Sequence, residues 1–410
     1  MENAINIAVN ETMLFTLIVI MTGMIFSKIS KFVKIPDVVL FLIAGIIIGP
    51  NILNLVSIED YPFANQLILT FGSAYILYDG GREVKLKVLN EVKYSVFSLA
   101  SLGVIISALV MAVTCFYIFK IDFIYALLIG AVIASTDPAT LVPVFKEISI
   151  IKRLKQTVIS ESAFNDAFGA ILVLSIITII SSGHISIMHN LEELVQMIVV
   201  GIVSGLAVGY LFSRTISDGK LGLFHEFAPL VSVAGVMLAY VLAEYFHGSG
   251  YMATFITGLI CGNKKTFNLW VPSKDFEVQT HVRETLAFTM RISIFVLLGT
   301  HVNFIALSKY GFKSFLVVLV LVFISRPISV VICLLFDRKT KWTLKEILFM
   351  MWVRETGVIP AALSGMIVSM GLKNSDILSS VVFMAILITL GIQASTTKLV
   401  AKKLGVLENK

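Results

Sequence analysis

Glu161-Ser162-Ala163-Phe164-Asn165-Asp166 places two carboxylates and a carboxamide about one helical turn apart inside a long apolar run, residues 157–180. An ionised group is expensive in such a run, so these residues form a functional-site hypothesis by default. The run has helical length and almost no charge, which marks a membrane-spanning helix. At about 1.5 Å rise per residue, Asp166 lies roughly 15 Å from an entry near Gln156. That is close to the middle of a hydrocarbon layer about 30 Å thick.

Similar runs recur from end to end. Hydrophobic residues make up 57% of the 410 and charged residues 14%, which favours one polytopic membrane protein over a set of soluble domains. Thirteen apolar segments are expected: 12–28, 36–53, 65–79, 95–119, 123–145, 157–180, 194–212, 227–245, 251–261, 284–300, 312–336, 346–370 and 377–397. Charge tests this count independently, because Lys and Arg gather on alternate loops when segments really cross. Twenty-five of the 32 fall on one side, and Lys120, Lys309, Lys313 and Lys373 fall on the other. Arg291, Arg326 and Arg354 lie inside segments. The alternation puts the amino terminus outside and the carboxyl terminus in the cytoplasm of a multi-pass cell-membrane protein. The formal charge of +6 then reflects topology and not nucleic-acid binding.

The first segment follows an acidic-polar start with no basic region, so it reads as a retained helix. Cys115, Cys261 and Cys333 are scattered among apolar neighbours and read as packing residues. The six histidines fall in loops or at segment ends without ligand spacing, so neither a zinc site nor a histidine base is suggested.

Two segments are broken. Ser135-Thr136-Asp137-Pro138-Ala139-Thr140 interrupts the fifth, where proline removes a helical hydrogen bond and clashes with the preceding turn. Arg354-Glu355-Thr356-Gly357-Val358-Ile359-Pro360 interrupts the twelfth at similar depth. Irregular backbone at membrane depth is tolerated where it lines a cavity or is buried, and paired broken segments are the best sequence pointer to a binding site. Segments four to six and eleven to thirteen run in opposite senses, so they form an inverted repeat with the site between them. A plain proline kink with Asp137 as a cap is the competing reading of the fifth segment taken alone.

Roles follow from depth and neighbours. Asp166, the deepest acid, is suited to take either a proton or a dehydrated monovalent cation, because burial favours the neutral form and a bound cation restores the charged one. Thr136 and Ser162 add neutral oxygens, and Ser162 shares a helix face with Asp166. Glu161 needs a partner, and Arg326 lies midway along the eleventh segment, where an unpaired guanidinium is costly; a Glu161–Arg326 ion pair is expected. Arg354 is expected to offset helix ends or carboxylates at the crossing. Asp79, near the end of the third segment, is either a cation-entry ligand or a solvated helix-end acid. Pro36 and the glycines of Gly45-Ile46-Ile47-Ile48-Gly49-Pro50 look structural: a helix start and close helix contact.

These residues resemble those of the monovalent cation/proton antiporter family of NhaP-type and animal sodium/proton exchanger-like proteins. The resemblance runs through Ile35-Pro36, Ala44-Gly45, Gly49-Pro50, Thr136-Asp137-Pro138, Glu161-Ser162, Asn165-Asp166, Arg326-Pro327, and Arg354 with Gly357. It implies an all-α fold of about thirteen transmembrane helices. Residues 95–182 and 312–398 would form the two halves of an ion-transport core. Residues 1–94 and 183–311 would form a scaffold and dimer panel, and 399–410 a short cytoplasmic tail without the regulatory domain of many relatives. Asp166 then resembles the essential ion-binding aspartate, with Thr136 and Ser162 as oxygen donors. Glu161 and Arg326 match a structural ion pair, and Asn165 stands where electrogenic relatives have a second aspartate, a form associated with electroneutral one-for-one exchange. Asp137 and Asp79 are carried over as further ion-site candidates. Glu355 departs from the pattern of arginine followed by glycine, and its role stays open, as does that of Arg291.

The expected function is exchange of Na+ (or Li+) for H+, both competing for Asp166, without a cofactor or enzymatic chemistry, in a homodimer embedded in the lipid bilayer. Potassium/proton exchange on the same scaffold is the main alternative. An intramembrane aspartyl protease is disfavoured because no Gly-x-Gly-Asp segment accompanies Tyr78-Asp79. A passive channel is disfavoured because paired broken helices around a titratable acid suit a stoichiometric carrier.

Overall fold

The computed structural model describes residues 2–33, 37–56, 61–136, 145, 149–182, 187–217, 223–267, 269, 273–300, 302, 304–335, 337 and 339–408. Pro36 and Asp137 lie outside them. The regular elements among the described residues are all helices, apart from one isolated antiparallel bridge between Ile150 and Leu407.

Each of the thirteen apolar segments has a helical counterpart. The first three are α1 (Glu2–Val33), α2 (Asp37–Ile48) and α3 (Pro62–Glu83). The fourth is one span, Leu86–Phe119, bent at Ser101 into α4 (Leu86–Ala100) and α5 (Leu102–Phe119). The described part of the fifth is α6 (Phe123–Val132), and the sixth is α7 (Lys152–Ser182). Then come α8 (Ile187–Thr215), α9 (Ala228–Tyr245), α10 (Gly250–Gly262) and α11 (Ser273–Thr300). The eleventh comprises α12 (Phe304–Val320), a π-turn at Leu321–Ser325 and α13 (Arg326–Leu335). The twelfth is α14 (Leu344–Trp352) and α15 (Val358–Ser369), and the thirteenth is α16 (Ser375–Ile388), a π-turn at Thr389–Ala394 and α17 (Ser395–Leu404).

Several helices outrun their apolar segments. The fourth starts nine residues early, at Leu86, and α11 starts eleven early, because Leu, Lys, Glu and Gln are good helix formers and the helix continues past the hydrocarbon edge. The twelfth breaks before its proline: Gly357 precedes α15, and Pro360 sits in that helix's first turn, where a missing N–H costs little.

Hydrophobic burial cannot drive helices together against lipid tails, so close contact rests on small residues. A Cβ on Gly258 of α10 would lie 2.0 Å from the carbonyl oxygen of Tyr78 in α3, and one on Gly81 of α3 would lie 2.3 Å from that of Phe255 in α10. Gly45 of α2 likewise abuts the carbonyl of Val296 in α11. The two triplets pack alike: α4 lies along α7 as α12 lies along α16, and α5 meets α12 and α13 between them. This is the inverted repeat. The chain pieces 133–136 and 353–357 cross at its centre.

Candidate functional site

At the first crossing, α6 ends at Val132, turns through Ile133 and Ala134, and leaves Ser135 and Thr136 outside any helix. Helix α7 receives this loose backbone with its own side chains. The Thr136 N–H donates to Asn165 Oδ1 (3.0 Å), and Asn165 Nδ2 donates back to Thr136 Oγ1 (2.9 Å). Ser162 Oγ donates to the Thr136 carbonyl (2.7 Å), and Thr136 Oγ1 lies 2.9 Å from Ser162 Oγ. Each hydroxyl has one proton, so Ser162 spends its proton on the carbonyl and Thr136 must donate to Ser162. Among the described residues both hydroxyl oxygens then keep one lone pair and no proton to spare, the arrangement a cation requires. Gly169, one turn further along α7, admits the crossing chain: a Cβ there would stand 3.1 Å from Ser135 Cβ.

Asp166 follows Asn165 on α7 and is 4% exposed; Thr136, Ser162 and Asn165 are buried to the same degree. Helix α7 thus carries a buried carboxylate one turn beyond the hydroxyl that holds the broken segment. Asn165 uses both its amide nitrogen and its amide oxygen on Thr136, so it fastens the crossing. Asp137 lies outside the described residues.

Glu161, directly before Ser162 on the same helix, faces the other repeat. Arg326, the first residue of α13, chelates it: Nη1 bonds Oε1 and Nη2 bonds Oε2 at 3.0 Å. The rest of the guanidinium is used as well, with Nε donating to the Met350 carbonyl (3.0 Å) and Nη2 reaching that of Val353 (3.4 Å). With four of its five N–H donors engaged, the guanidinium has the satisfaction that makes a buried charge pair tolerable. The π-turn preceding Arg326 is the local distortion that accompanies it there.

At the second crossing, Arg354 is 1% exposed and points its Nη2 at the carbonyls of Ile133 and, at 3.2 Å, Ala134. These are orphan carbonyls at the negative end of α6, so the guanidinium caps that helix and opposes its dipole. Nη1 contacts Thr356 Oγ1 at 3.4 Å. Arg326 repels Arg354, whereas Glu161 and Glu355 attract it. Glu355 is wholly buried beside it.

Asp79 is placed elsewhere. It pairs with Arg283 of α11, which also lies 3.6 Å from Glu83, and neither belongs to the hydroxyl cluster. Its helix nevertheless abuts the site helix, since a Cβ on Gly80 would touch Ala163 at 3.8 Å. Arg291 lies over the Phe288 ring. Among the described residues, no three His, Cys, Asp or Glu side chains gather as a metal cage.

Sequence reasoning missed the supports of the second crossing. Thr389 Oγ1 accepts the Thr356 N–H (3.0 Å), and Gln393 Nε2 donates to the Trp352 carbonyl (2.6 Å). The signal was present as two polar residues four apart in an apolar run, at either end of what proves to be a π-turn. It also missed Arg283 as the partner of Asp79, and the bonds joining loop ends: Arg153 chelates Glu346 (2.8 and 3.0 Å) and donates to the Thr340 carbonyl (3.1 Å).

Comparison with known proteins bears on the family and the fold. A probable Na(+)/H(+) antiporter 2 of Methanocaldococcus jannaschii is 29% identical over 368 residues, covering 87% of this chain and 84% of the relative. The K(+)/H(+) antiporter NhaP2 of Shewanella oneidensis is 24% identical over 403 residues, covering 96% and 67%. The solved structure of the sodium proton antiporter MjNhaP1 from M. jannaschii at pH 8 superposes with a TM-score of 0.87 at 26% identity, over 97% of this chain and 99% of that one. A second structure of the same protein gives 0.79 at 28% identity, over 97% and 98%. The profile described as "Sodium/hydrogen exchanger, transmembrane" matches residues 15–403, and the chain belongs to that family.

Proposed function

We propose that this protein exchanges Na+ or Li+ for H+ across the membrane, one for one, with both ions competing for Asp166. The observation that carries this reading is a buried carboxylate directly after Asn165, on the helix that meets a broken segment through two hydroxyl oxygens whose remaining lone pairs are unprotonated. Thr136 and Ser162 supply the neutral oxygens, Asn165 holds Thr136 in place, and the Glu161–Arg326 pair fixes the site helix against the second repeat.

Exchange follows from charge. An uncompensated carboxylate carried past an apolar barrier costs about 3 kcal/mol or more, and a bound proton or cation removes that cost. The loaded site changes access and the empty one does not, so each cation that leaves is replaced by a proton. Helices α4–α7 and α12–α17 would move as the transport core against a panel of the others, which also provides the dimer contact. The loops rich in Lys and Arg face the cytoplasm, with Asp79 and Arg283 at that end. Asp79 acts there as an ion-paired helix-end acid, outside the coordinating set.

The test is proton movement in sealed proteoliposomes with an acid interior, adding sodium, lithium, potassium or choline in turn. Dissipation by sodium and lithium, insensitive to membrane potential and abolished in a folded Asp166→Asn variant, is the expected result. Appreciable exchange by that variant overturns the mechanism. Potassium/proton exchange is the second reading, favoured by the relatives named as K(+)/H(+) antiporters that cover 96% of this chain. Dissipation by potassium alone would establish it.

A further inference from the structure

The two crossings are held by the same device. In the first repeat, Asn165 and Ser162 of the third segment take up the N–H and carbonyl of Thr136. In the second, Thr389 and Gln393, again on the third segment, take up the Thr356 N–H and the Trp352 carbonyl. Both side chains are buried, at 0% and 1% exposure. A backbone group left unpaired at this depth costs several kcal/mol, so these bonds determine where the piece 353–357 lies. That piece carries Arg354, whose guanidinium holds the carbonyls of Ile133 and Ala134, three and two residues before Thr136. An unbroken line of contacts therefore runs from the last membrane segment to the hydroxyl cluster.

We infer that Thr389 and Gln393 are positioning residues for ion exchange: by fixing 353–357 they place Arg354, and through it the chain that holds Thr136 against the helix carrying Asp166. The inference rests on the antiport reading above. Neither residue touches the ion. A cation needs several oxygens at fixed spacing, whereas a proton needs only the carboxylate, so a loosened crossing weakens cation binding and leaves proton binding intact. The proton then competes better, and the acid limb of the activity profile moves to higher pH.

The experiment compares wild type, Thr389→Val, Thr389→Ser, Gln393→Asn and Asp166→Asn in the same proteoliposomes. Thr389→Val keeps the shape and removes the acceptor. It is expected to raise the apparent KM for the cation about fivefold, the size of one lost hydrogen bond, to move the acid limb toward alkaline pH, and to change kcat much less. Thr389→Ser restores the wild-type KM and profile. If Thr389→Val fails to fold, Gln393→Asn, one methylene too short to hold Trp352, must show the same displacement. Wild-type KM and pH profile in the folded variants, with only thermal stability reduced, overturn the inference and leave the antiport reading standing. Exchange retained by Asp166→Asn overturns the reading itself.

Discussion

The two ends of the core are tied by related bonds of very different quality. Each repeat sends a base at the start of its third segment to an acid at the start of the other repeat's second segment. At the end of the molecule with the basic loops, Arg153 of α7 reaches Glu346 of α14; at the opposite end, Lys373, just before α16, reaches Asp122, just before α6. The first tie is a hub. Glu346 is 1% exposed, accepts two bonds from Arg153, and closes a capping box with Thr343, while Arg153 stacks over Trp342 and Trp342 bonds Ser95. Asp337 anchors the same loop: burial alone would raise its carboxyl, but bonds from Ser95, Thr340 and the N–H groups of Thr340 and Lys339 hold it below the usual range. The end of the chain adds a further layer, with Glu408 N donating to the Ser149 carbonyl at 2.7 Å and Val406 buried beneath. The second tie is one bond of 3.0 Å between side chains about two-thirds exposed. Pseudo-symmetry thus supplies a pair of positions, and burial decides which of them holds the repeats together.

The Glu161–Arg326 pair is the fully buried limit of the same cross-repeat bond and gives the largest effect. Arg326→Ala leaves a carboxylate without its partner and is expected to cost about 3–5 kcal/mol, seen as loss of monodisperse protein on size-exclusion chromatography. Exchanging the two residues should recover part of the yield; no recovery alongside well-folded single variants would remove the pair from the comparison. Glu346→Ala comes next. It strips a half-exposed Arg153 and a helix cap together, at about 2 kcal/mol, read as a lower Tm in detergent. An unchanged Tm would make the two ends equivalent.

Lys264, at the basic end after α10, sharpens the contrast because it is a buried cation that no acid meets among the described residues. Its Nζ has no hydrogen-bond partner among the described residues, and burial brings the group down from 10.5 to about 8, against a pull from Cys261 and with a push from Arg82. The folded state therefore binds this proton more weakly than the unfolded state. Stability rises with pH between about 8 and 10.5, and the penalty is complete below 8. Lys264→Met should raise Tm by a few degrees at pH 7, with the gain fading across that window. A gain independent of pH would attribute it to packing and not to charge. The smallest effect is expected for Lys373→Ala, whose Tm and exchange rate should match wild type, as exposed ion pairs do; a clear loss would mean that the opposite end is fastened too.

Much of the site was legible because charge in an apolar run is rare enough to single out residues. Glu161, Asp166, Arg326 and Arg354 were selected by depth alone, and a buried guanidinium near a buried acid leaves few partners to choose from. Asp79 shows the limit of that reasoning. It sits in a similar setting, yet its partner, Arg283, is some 200 positions away on a helix whose polar start extends beyond the apolar segment. Thr389 and Gln393 escaped notice because uncharged polar residues are common in membrane helices and acquire meaning only once a loose backbone is seen to lie against them.

The number of segments, their alternation, the two breaks and the identity of the buried charges were all readable from the order of residues, because the bilayer penalises each of these locally, residue by residue. The tertiary structure decided which side chain satisfies which backbone group at the crossings, that Asn165 clamps Thr136, that Arg354 caps α6, and which end of the core is latched. Those outcomes depend on contacts between residues far apart in the chain, where donor and acceptor must meet within a few tenths of an ångström, and no local penalty records that.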